Sequence, residues 1–449
     1  MTFGRMGARG IANKEISPEF IMRISKATAA YLDTNHIAVG RDTRLTGEML
    51  ADAAVVGLRS SGVNVTRLGV VPTPSIQRFA EVNTTPALQI TASHNPPEYN
   101  GIKLIGPRGM VLERNSVKAV REMMGSDELS VPEWNEIGQV YRVKDANTEY
   151  IESVISEIDS SVIENQRPLV VLDAGHGAGA LTSPTLLQML GCKVITLNTH
   201  PDGNFPGRNP EPTEEGLSDL IRTVPAIGAD LGIAHDGDAD RVIFVDENGD
   251  FIEGDTALAA LADAELSPGD TVVTAFNTSQ RLADVVRKND ASIEYTPIGN
   301  SYILSRVKAI QNEGESVSIA GEGNGGIIYP NHRLNRDGGY VAAKFLQLIA
   351  GRSASTVVAP YDGYYLRRKN IPYDTTADRD KILSRASTWA ETADGPVTTM
   401  DGYRVDLDDG WILVRPSGTE PFVRVYAEAT SVKEASERAE RVRTIIATT

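Results

Sequence analysis

Ser93 and His94 stand where a buried strand is predicted to end. Residues 87–91 are short and mostly apolar, which is typical of a strand inside an α/β sheet. The prolines at 96 and 97 can neither extend that strand nor enter a helix interior, so the chain must turn. Such turns are where α/β proteins place reacting groups, which makes Ser93 a candidate. The alternative is that the hydroxyl only satisfies its own turn and that His94 is solvated.

Three aspartates, Asp236, Asp238 and Asp240, occupy one loop between two strand-like segments. Carboxylates this close repel one another by up to about 4 kcal/mol per close pair at an effective dielectric constant of about 20. A fold keeps such a cluster when a cation sits in it, and a few oxygen ligands completed by a phosphate suit Mg²⁺. A solvated acidic turn is the alternative. An EF-hand calcium loop is excluded, because Arg241 stands where that loop requires glycine and the flanks are not helical.

Two later segments combine glycine with polar side chains at predicted strand ends. Residues 321–326 read GEGNGG, and a carboxylate and an amide on such a loop are suited to neighbouring hydroxyls of a hexose. Residues 415–421 read RPSGTEP, where an arginine, two hydroxyls and exposed backbone N–H groups would make an anion-binding nest. Each segment could instead be a plain turn with incidental polar residues.

A glycine run at 175–180 offers a competing interpretation. It follows the apolar strand 168–173 and is close to the G-x-G-x-x-A fingerprint of dinucleotide-binding proteins. That fingerprint also expects an acidic residue about 20 residues further on, at the end of the second strand. The second strand, 192–197, ends at Asn198 instead. The run is therefore interpreted as a tight turn before a helix, and NAD binding is not expected.

Charge and cysteine content restrict the partners and the location. The net charge of −16 argues against nucleic acid or an anionic membrane, since both require a basic surface. Cys192 is the only cysteine, so no internal disulfide is expected and a reducing cytoplasm is predicted. No apolar run reaches the length of a signal peptide or a membrane span. The oligomeric state is left open between monomer and homodimer.

Strands and helices alternate in a rhythm that indicates mostly parallel sheets. The length of 449 residues is too great for one core and indicates about three or four domains. We expect an α/β fold: three consecutive α/β domains with mixed, mostly parallel sheets and a smaller C-terminal α+β domain around a central cleft. The expected boundaries are 1–150, 151–252, 253–353 and 354–449.

Taken together, the motifs resemble those of the α-D-phosphohexomutases, the group of phosphoglucomutases, phosphomannomutases and phosphoglucosamine mutases. TASHNPPEYNGIK at 91–103 is similar to the active-serine loop, and AHDGDADR at 234–241 to the metal loop DGDxDR. GEGNGG is similar to the sugar loop, RPSGTEP to the distal phosphate clamp, and the turn 296–299 to T-x-V-G. The opening at 3–10 resembles FGTxGIRG, although Arg5 and Met6 depart from it. The motifs occur in the family's order, and the archaeal-type branch is the one resembled.

The resemblance implies that Ser93 is carried as a phosphoserine and that a phosphoryl group moves between O6 and O1 of a hexose. A hexose 1,6-bisphosphate is then both intermediate and activator. The implied catalytic residues are Ser93, His94, Lys103, Arg9 and Arg241. The implied ligands of Mg²⁺ are Ser93, Asp236, Asp238 and Asp240. The implied substrate-binding residues are Glu322, Asn324, Thr296, Gly299, Arg415, Ser417, Gly418, Thr419 and Arg424.

Three departures from the family pattern affect the substrate and the proton acceptor. Asn324 replaces the commoner Ser, Gly326 stands where several members have a His, and Asn277 stands where some have a Lys. The general base therefore stays open between His94 and Lys103, the latter only if its pKa is lowered near the metal. Glucosamine phosphate is the first choice of sugar, and mannose or glucose phosphate is the alternative.

Other classes of protein account for fewer of these motifs. A non-catalytic sugar-phosphate-binding protein would be expected to lose Ser93 or the aspartate triplet, and both are present. A serine hydrolase would have no use for three aspartates on one loop. A metal-dependent phosphatase would not need two phosphate sites.

Overall fold

The computed structural model of the protein describes residues 2–3, 7–125, 129, 131–417 and 421–447. The chain forms two compact units, the first made of Met1–Ala257 with Asn324–Val358 and the second of Leu258–Gly323 with Ala359–Thr449. Along the chain, three α/β segments precede a smaller α+β segment, which confirms the expected fold class. The four domain boundaries stay a prediction. No helix within the described ranges is long and apolar enough to cross a membrane.

The first seven strands form a mixed sheet in the first unit. They are β1 (Thr2–Phe3), β2 (Gly7–Ile11), β3 (His36–Arg41), β4 (Asn64–Val70), β5 (Ala87–Ile90), β6 (Tyr99–Ile105) and β7 (Val140–Arg142). Their spatial order is β1-β2-β6-β5-β3-β4-β7, with β5, β3, β4 and β7 parallel and β6, β2 and β1 added antiparallel. Helices accompany this sheet: α1 (Pro18–Tyr31), α2 (Gly47–Arg59), α3 (Thr73–Val82) and α4 (Arg114–Met123).

The core of this sheet follows from its sequence pattern. Ile37 on β3, Ile90 on β5 and Ile102 on β6 pack with Ile24 of α1 and Leu50 of α2 in one apolar cluster. Helix α1 begins where a serine followed by proline predicts a helix start, because the serine side chain at 17 accepts a bond of 3.3 Å from the backbone N–H at 20. Sheet and helices together hold the loop after β5 in place.

A second mixed sheet completes most of the first unit. Its helices and strands are α5 (Ala146–Ile155), α6 (Ser161–Gln166), β8 (Leu169–Asp173), α7 (Ser183–Met189), β9 (Lys193–Leu197), α8 (Ser218–Ala226), β10 (Leu231–His235), β11 (Val242–Val245) and β12 (Phe251–Ile252), followed by α9 (Gly254–Glu265). The order is β12-β11-β10-β8-β9, with β10, β8 and β9 parallel. Strands β10 and β11 are antiparallel neighbours, so the loop that joins them stands at the carboxyl end of β10.

The third segment is divided between the two units. Strands β13 (Thr271–Ala275), β14 (Ser292–Thr296) and β15 (Val317–Glu322) belong to the second unit with α10 (Gln280–Lys288) and α11 (Asn300–Asn312). Both β14 and β15 pair in parallel with β13. Strand β16 (Gly326–Ile328) and helices α12 (Gly338–Leu348) and α13 (Ala354–Val358) belong to the first unit.

The C-terminal segment is an antiparallel sheet with two helices. Its elements are β17 (Tyr365–Pro372), α14 (Thr376–Glu391), β18 (Val397–Thr398), β19 (Tyr403–Leu407), β20 (Gly410–Pro416), β21 (Phe422–Ala429) and α15 (Val432–Ala447). The strand order is β17-β21-β20-β19-β18. Within the second unit Arg404 joins this sheet to the third segment, since it donates to the backbone oxygen of Phe276 at 2.6 Å and lies over the rings of Tyr295 and Trp411.

Candidate active site

Ser93 lies in the turn that follows β5 and is 1% exposed. Its φ angle is +52°, in the left-handed region that non-glycine residues adopt at a cost of about 1–3 kcal/mol. The backbone N–H of Ser93 donates to Thr91 Oγ1 at 2.9 Å, which fixes the turn from within. The Ser93 hydroxyl donates to Asp236 Oδ2 at 2.8 Å, so the serine loop meets the aspartate loop here.

A buried arginine that the sequence motifs did not reveal holds the serine loop. Arg44 is 1% exposed, and its guanidinium donates to four backbone oxygens at 2.6–2.8 Å, those of Ser93, Asn95, Pro96 and Tyr99. Asp42 neutralises it at 3.1 Å and also accepts a bond from Thr91 at 2.6 Å. Four carbonyl oxygens converging on one guanidinium make the position of the turn rigid.

The aspartate loop is also tied at its base. His235, at the end of β10, is fully buried, and its Nδ1 lies 2.9 Å from the backbone oxygen of Arg241 while its Nε2 lies 2.9 Å from Ser183 Oγ. Arg208 donates to the backbone oxygen of His235 at 2.6 Å. A Cβ added to Gly237 would lie 2.5 Å from the backbone oxygen of Ser93, so glycine is required where the two loops meet.

The three aspartates form a buried cluster suited to a metal ion. Asp236 and Asp238 are fully buried and Asp240 is 6% exposed, and one oxygen of each lies within 4.8 Å of the others. Among the described residues, no donor bonds to Oδ1 of Asp238 or of Asp240. Two buried carboxylate oxygens without a donor, in an all-oxygen set, fit a hard cation such as Mg²⁺. Burial, and then the charges of Asp240 and Asp238, raise the pKa of Asp236 to about 8.

Lys103 supplies positive charge to the same cluster. Its Nζ lies 2.6 Å from Asp238 Oδ2 and 2.6 Å from Asp240 Oδ2, and the Thr73 hydroxyl also donates to Asp238. Burial acts to lower the pKa of Lys103, but the two carboxylates outweigh it and the pKa is raised. Lys103 could act as a base only with a lowered pKa. The structure instead holds it as an ammonium between two carboxylates.

Arg241 and His94 face the serine from the other side. Arg241 Nη2, which can only donate, lies 3.0 Å from His94 Nδ1, so this nitrogen accepts and the proton of the neutral ring is on Nε2. His94 Nδ1 is also 3.4 Å from Ser93 Oγ. Burial first, then the charges of Arg241 and Arg9, lower the pKa of His94 well below its usual value. Arg9 donates to Asn95 Oδ1 at 3.3 Å and interacts with the charges of Asp238 and Asp240.

The first unit therefore brings together Ser93, His94, Lys103, Arg9, Arg241 and the three aspartates. Three residues of this site were not found from the sequence, because each is distant in the chain from residues that it contacts or faces: Arg44, Thr73 and Arg336. Arg336 is 6% exposed and interacts electrostatically with Asp240 and Asp236. Asn324 is also in this unit, where its side-chain oxygen accepts from the backbone N–H of Gly326 at 3.1 Å.

The second unit holds the other candidate binding residues. Arg415 on β20 and Arg424 on β21 are cross-strand partners, and Arg415 lies 3.2 Å from a carboxylate oxygen of Asp401. Asp401 also accepts from the backbone N–H of Ile298 at 2.9 Å, which connects Arg415 to the turn between Thr296 and Gly299. The backbone N–H of Ser417 donates to the backbone oxygen at position 422 at 2.8 Å. Gly418 and Thr419 lie outside the described residues.

Thr296 and Glu322 stand at the ends of two strands that flank β13. Both strands run parallel to β13, so both side chains occur at its carboxyl edge, where open α/β sheets bind ligands. Glu322 is 6% exposed. The Thr296 hydroxyl donates to the backbone oxygen of Thr274 at 3.3 Å, which fixes the end of β14.

Known proteins resemble this chain along most of its length. Four family profiles of phosphoglucomutase/phosphomannomutase match the chain. Alpha/beta/alpha domain I matches residues 1–130, domain II residues 148–249, domain III residues 253–364 and the C-terminal domain residues 375–445. A phosphoglucomutase/phosphomannomutase of Thermococcus kodakarensis is 43% identical over 445 residues, which cover 97% of this chain and 96% of that protein. A probable phosphoglucosamine mutase of Methanopyrus kandleri is 38% identical over 441 residues, with coverage of 97% and 95%.

A solved structure shows the same fold. The crystal structure of a phosphoglucomutase/phosphomannomutase family protein from Burkholderia thailandensis superimposes with a TM-score of 0.87 at 26% identity, covering 99% of this chain and 97% of that one. The matched profiles span most of the chain, and the relatives are named as mutases. The protein is therefore an enzyme of the phosphoglucomutase/phosphomannomutase family of phosphohexomutases, which are enzymes of the isomerase type.

Proposed function

We propose that this enzyme interconverts hexose 6-phosphate and hexose 1-phosphate through a phosphorylated Ser93 and a bisphosphorylated sugar. One observation carries the proposal: the Ser93 hydroxyl is 2.8 Å from Asp236, in a buried cluster of three carboxylates that is bordered by Lys103 and Arg241. A hydroxyl in such surroundings is suited to carry a phosphoryl group, because its oxygens would meet both cationic side chains and a metal.

The metal is proposed to be Mg²⁺, held by Asp236, Asp238 and Asp240 with an oxygen on Ser93. When bound, it would supply positive charge to the phosphoryl oxygens during transfer. The chain itself positions Ser93 through Arg44 and Thr91, so the oxygen does not have to be reoriented for each transfer.

In the forward transfer, the bond between phosphorus and Ser93 Oγ breaks and a bond to a sugar oxygen forms. The sugar hydroxyl loses its proton to a base. His94 is proposed, because its lowered pKa keeps the ring neutral, whereas Lys103 is held as a cation by two carboxylates and suits charge stabilisation. His94 Nδ1 accepts from Arg241, so the sugar hydroxyl would have to replace that bond. In the second half, the other phosphate of the bisphosphorylated sugar returns to Ser93, and that sugar oxygen regains a proton. Arg9 and Arg241 are proposed to bind the reacting phosphoryl group.

The second unit is proposed to hold the sugar and the phosphate that is not reacting. Arg415 and Arg424 on adjacent strands would bind that phosphate, together with Ser417, Gly418 and Thr419. Glu322, Thr296 and Gly299 of this unit are proposed to bind sugar hydroxyls, and so is Asn324, which belongs to the first unit. The four-domain division, a cytoplasmic location and a monomeric or homodimeric state belong to the same proposal.

Glucosamine phosphate is proposed as the first substrate, on the GEGNGG loop and on the name of the Methanopyrus relative. A specific observation favours a second candidate, glucose or mannose phosphate. The Thermococcus relative, named for those two sugars, is 43% identical, compared with 38% for the Methanopyrus relative.

The test is a parallel turnover assay on the 1-phosphates and 6-phosphates of glucosamine, mannose and glucose. It contains Mg²⁺ and a trace of hexose 1,6-bisphosphate. Ser93→Ala is the inactive variant, and Ser384→Ala, at an exposed serine of α14, is the matched control. Turnover of one sugar by the parent and by Ser384→Ala, but not by Ser93→Ala, supports the proposal and names the substrate. Full activity of Ser93→Ala would refute it.

A further inference from the structure

Arg336 stands in a segment that packs directly on the aspartate loop. The backbone N–H of Gly338 donates to the backbone oxygen of Ala239 at 3.3 Å, and the N–H of Val242 donates to the oxygen of Gly325 at 3.1 Å. Arg336 also forms an isolated antiparallel bridge with Ile328. Two segments that are distant from the aspartates in sequence therefore close over their loop, and Arg336 is carried by one of them.

The Arg336 side chain occupies the space above Gly326. A Cβ added at position 326 would lie 2.5 Å from Arg336 Nε and 2.7 Å from Cζ, so no side chain fits there unless the guanidinium moves. Position 326 is the one at which several phosphohexomutases have a histidine. In this chain the absence of a side chain at 326 and the presence of Arg336 are two parts of one packing arrangement.

Arg336 also adds a cation to the cluster around Ser93. It interacts electrostatically with Asp240 and Asp236, and with His94 beside the serine. Three buried carboxylates are then faced by four cationic side chains, those of Lys103, Arg9, Arg241 and Arg336. Glu211, 3.3 Å from Arg241, is a fourth carboxylate, so the four cations are balanced by four carboxylates before a phosphoryl group is added. A phosphoryl group at Ser93 would add a charge of about −1.5 to −2 at neutral pH, and the buried cations are the side chains that can offset it.

We propose that Arg336 binds the phosphoryl group at Ser93. Its guanidinium lies in the space that a side chain at position 326 would occupy. This rests on the proposed function, in which Ser93 carries that group. Arg336 forms no bond to phosphorus: it donates N–H groups to the non-bridging oxygens, and its planar fork can reach two of them at once. Gly326 is the residue that makes room for it.

The experiment uses inorganic phosphate as the probe, because phosphate binding does not depend on mutase turnover. Phosphate is titrated into the protein in the presence of Mg²⁺, and the melting temperature reports binding. All proteins carry Arg415→Met, which weakens the second anion site. Arg336→Met, Arg336→Lys, Gly326→Ala and the double variant Gly326→Ala with Arg336→Met are compared with this background. We expect Arg336→Met to bind phosphate about 10- to 100-fold more weakly, as for the loss of a hydrogen bond to a charged group.

The double variant distinguishes this role from a general loss of packing. Gly326→Ala alone should weaken phosphate binding by displacing the guanidinium, but it should add almost nothing to Arg336→Met. Arg336→Lys, which keeps the charge but not the fork, should recover part of the affinity. Unchanged phosphate affinity in Arg336→Met, or full additivity in the double variant, would overturn the proposal.

Failure of the proposed function gives a different result. If the parent isomerises no hexose phosphate yet its phosphate affinity depends on Arg336, the substrate proposal is wrong and the role of Arg336 is supported. If the parent isomerises a hexose phosphate and Arg336→Met does so with an unchanged kcat and KM, only the role of Arg336 is lost. If the melting temperature of the Arg415→Met protein does not respond to phosphate, the proposed role of Arg336 is overturned.

Discussion

Lys103→Met should make the stability of the first unit depend on divalent metal more strongly than that of the parent. Each of the two ammonium–carboxylate contacts, at 2.6 Å, corresponds to a gross attraction of about 6 kcal/mol at an effective dielectric constant of about 20. Most of this is offset by the cost of burying the charges. Breaking a buried pair by removing one partner nevertheless costs about 3–5 kcal/mol, because a carboxylate is left uncompensated. We expect a loss of that size in the unfolding free energy without metal.

Added Mg²⁺ should restore much of that loss, since the cation would replace the ammonium between Asp238 and Asp240. The assay is denaturant unfolding of the parent and the variant, with EDTA and with Mg²⁺, followed by a probe in the first unit. Lys118→Met is the control, because its ion pair with Glu122 lies in the same unit, at 3.8 Å, but its lysine is exposed. Such a surface pair contributes about 0–1 kcal/mol. The reasoning is refuted if both variants lose equally little, or if Mg²⁺ stabilises Lys103→Met no more than the parent.

Two further predictions concern close packing at other places in the first unit. In steady-state kinetics, Gly237→Ala should lower turnover about 100-fold or more, because its Cβ would push the backbone of Ser93 away. Gly125→Ala should leave turnover unchanged, because its Cβ would meet nothing closer than 3.4 Å. Cys192 should resist alkylation at pH 8 in the native enzyme, because the thiol is 7% exposed and burial, with the nearby charge of Asp230, raises its pKa to about 12. Mass spectrometry should find one modified thiol only after denaturation, and rapid modification of the native enzyme would contradict the structure.

The sequence allowed the parts of the site that lie on one loop to be predicted. Asp236, Asp238 and Asp240 occupy alternate positions of one five-residue stretch, and two consecutive prolines mark the turn beside Ser93. Both signals are local, so the strands that carry them and the loops themselves were expected correctly.

Long-range contacts could not be read in the same way. Thr73 bonds to Asp238, which is 165 residues away, and Arg44 bonds to four backbone oxygens about 50 residues away. Nothing in the residues around either position specifies such a partner. The direction of the Lys103 pKa shift was left open for a related reason, because it depends on two carboxylates that only the folded chain brings to 2.6 Å.

The interleaved course of the chain has a consequence for its synthesis. The first unit is complete only with residues 324–358, yet residues 258–323 of the second unit are made before them. Domains generally fold as units and the N-terminal one first, as the chain leaves the ribosome. Here the aspartate loop emerges about 90 residues ahead of Gly325, Arg336 and Gly338, which close over it. During synthesis, the aspartate loop of the first unit therefore lacks the segments that pack on it while residues 258–323 of the second unit are already emerging.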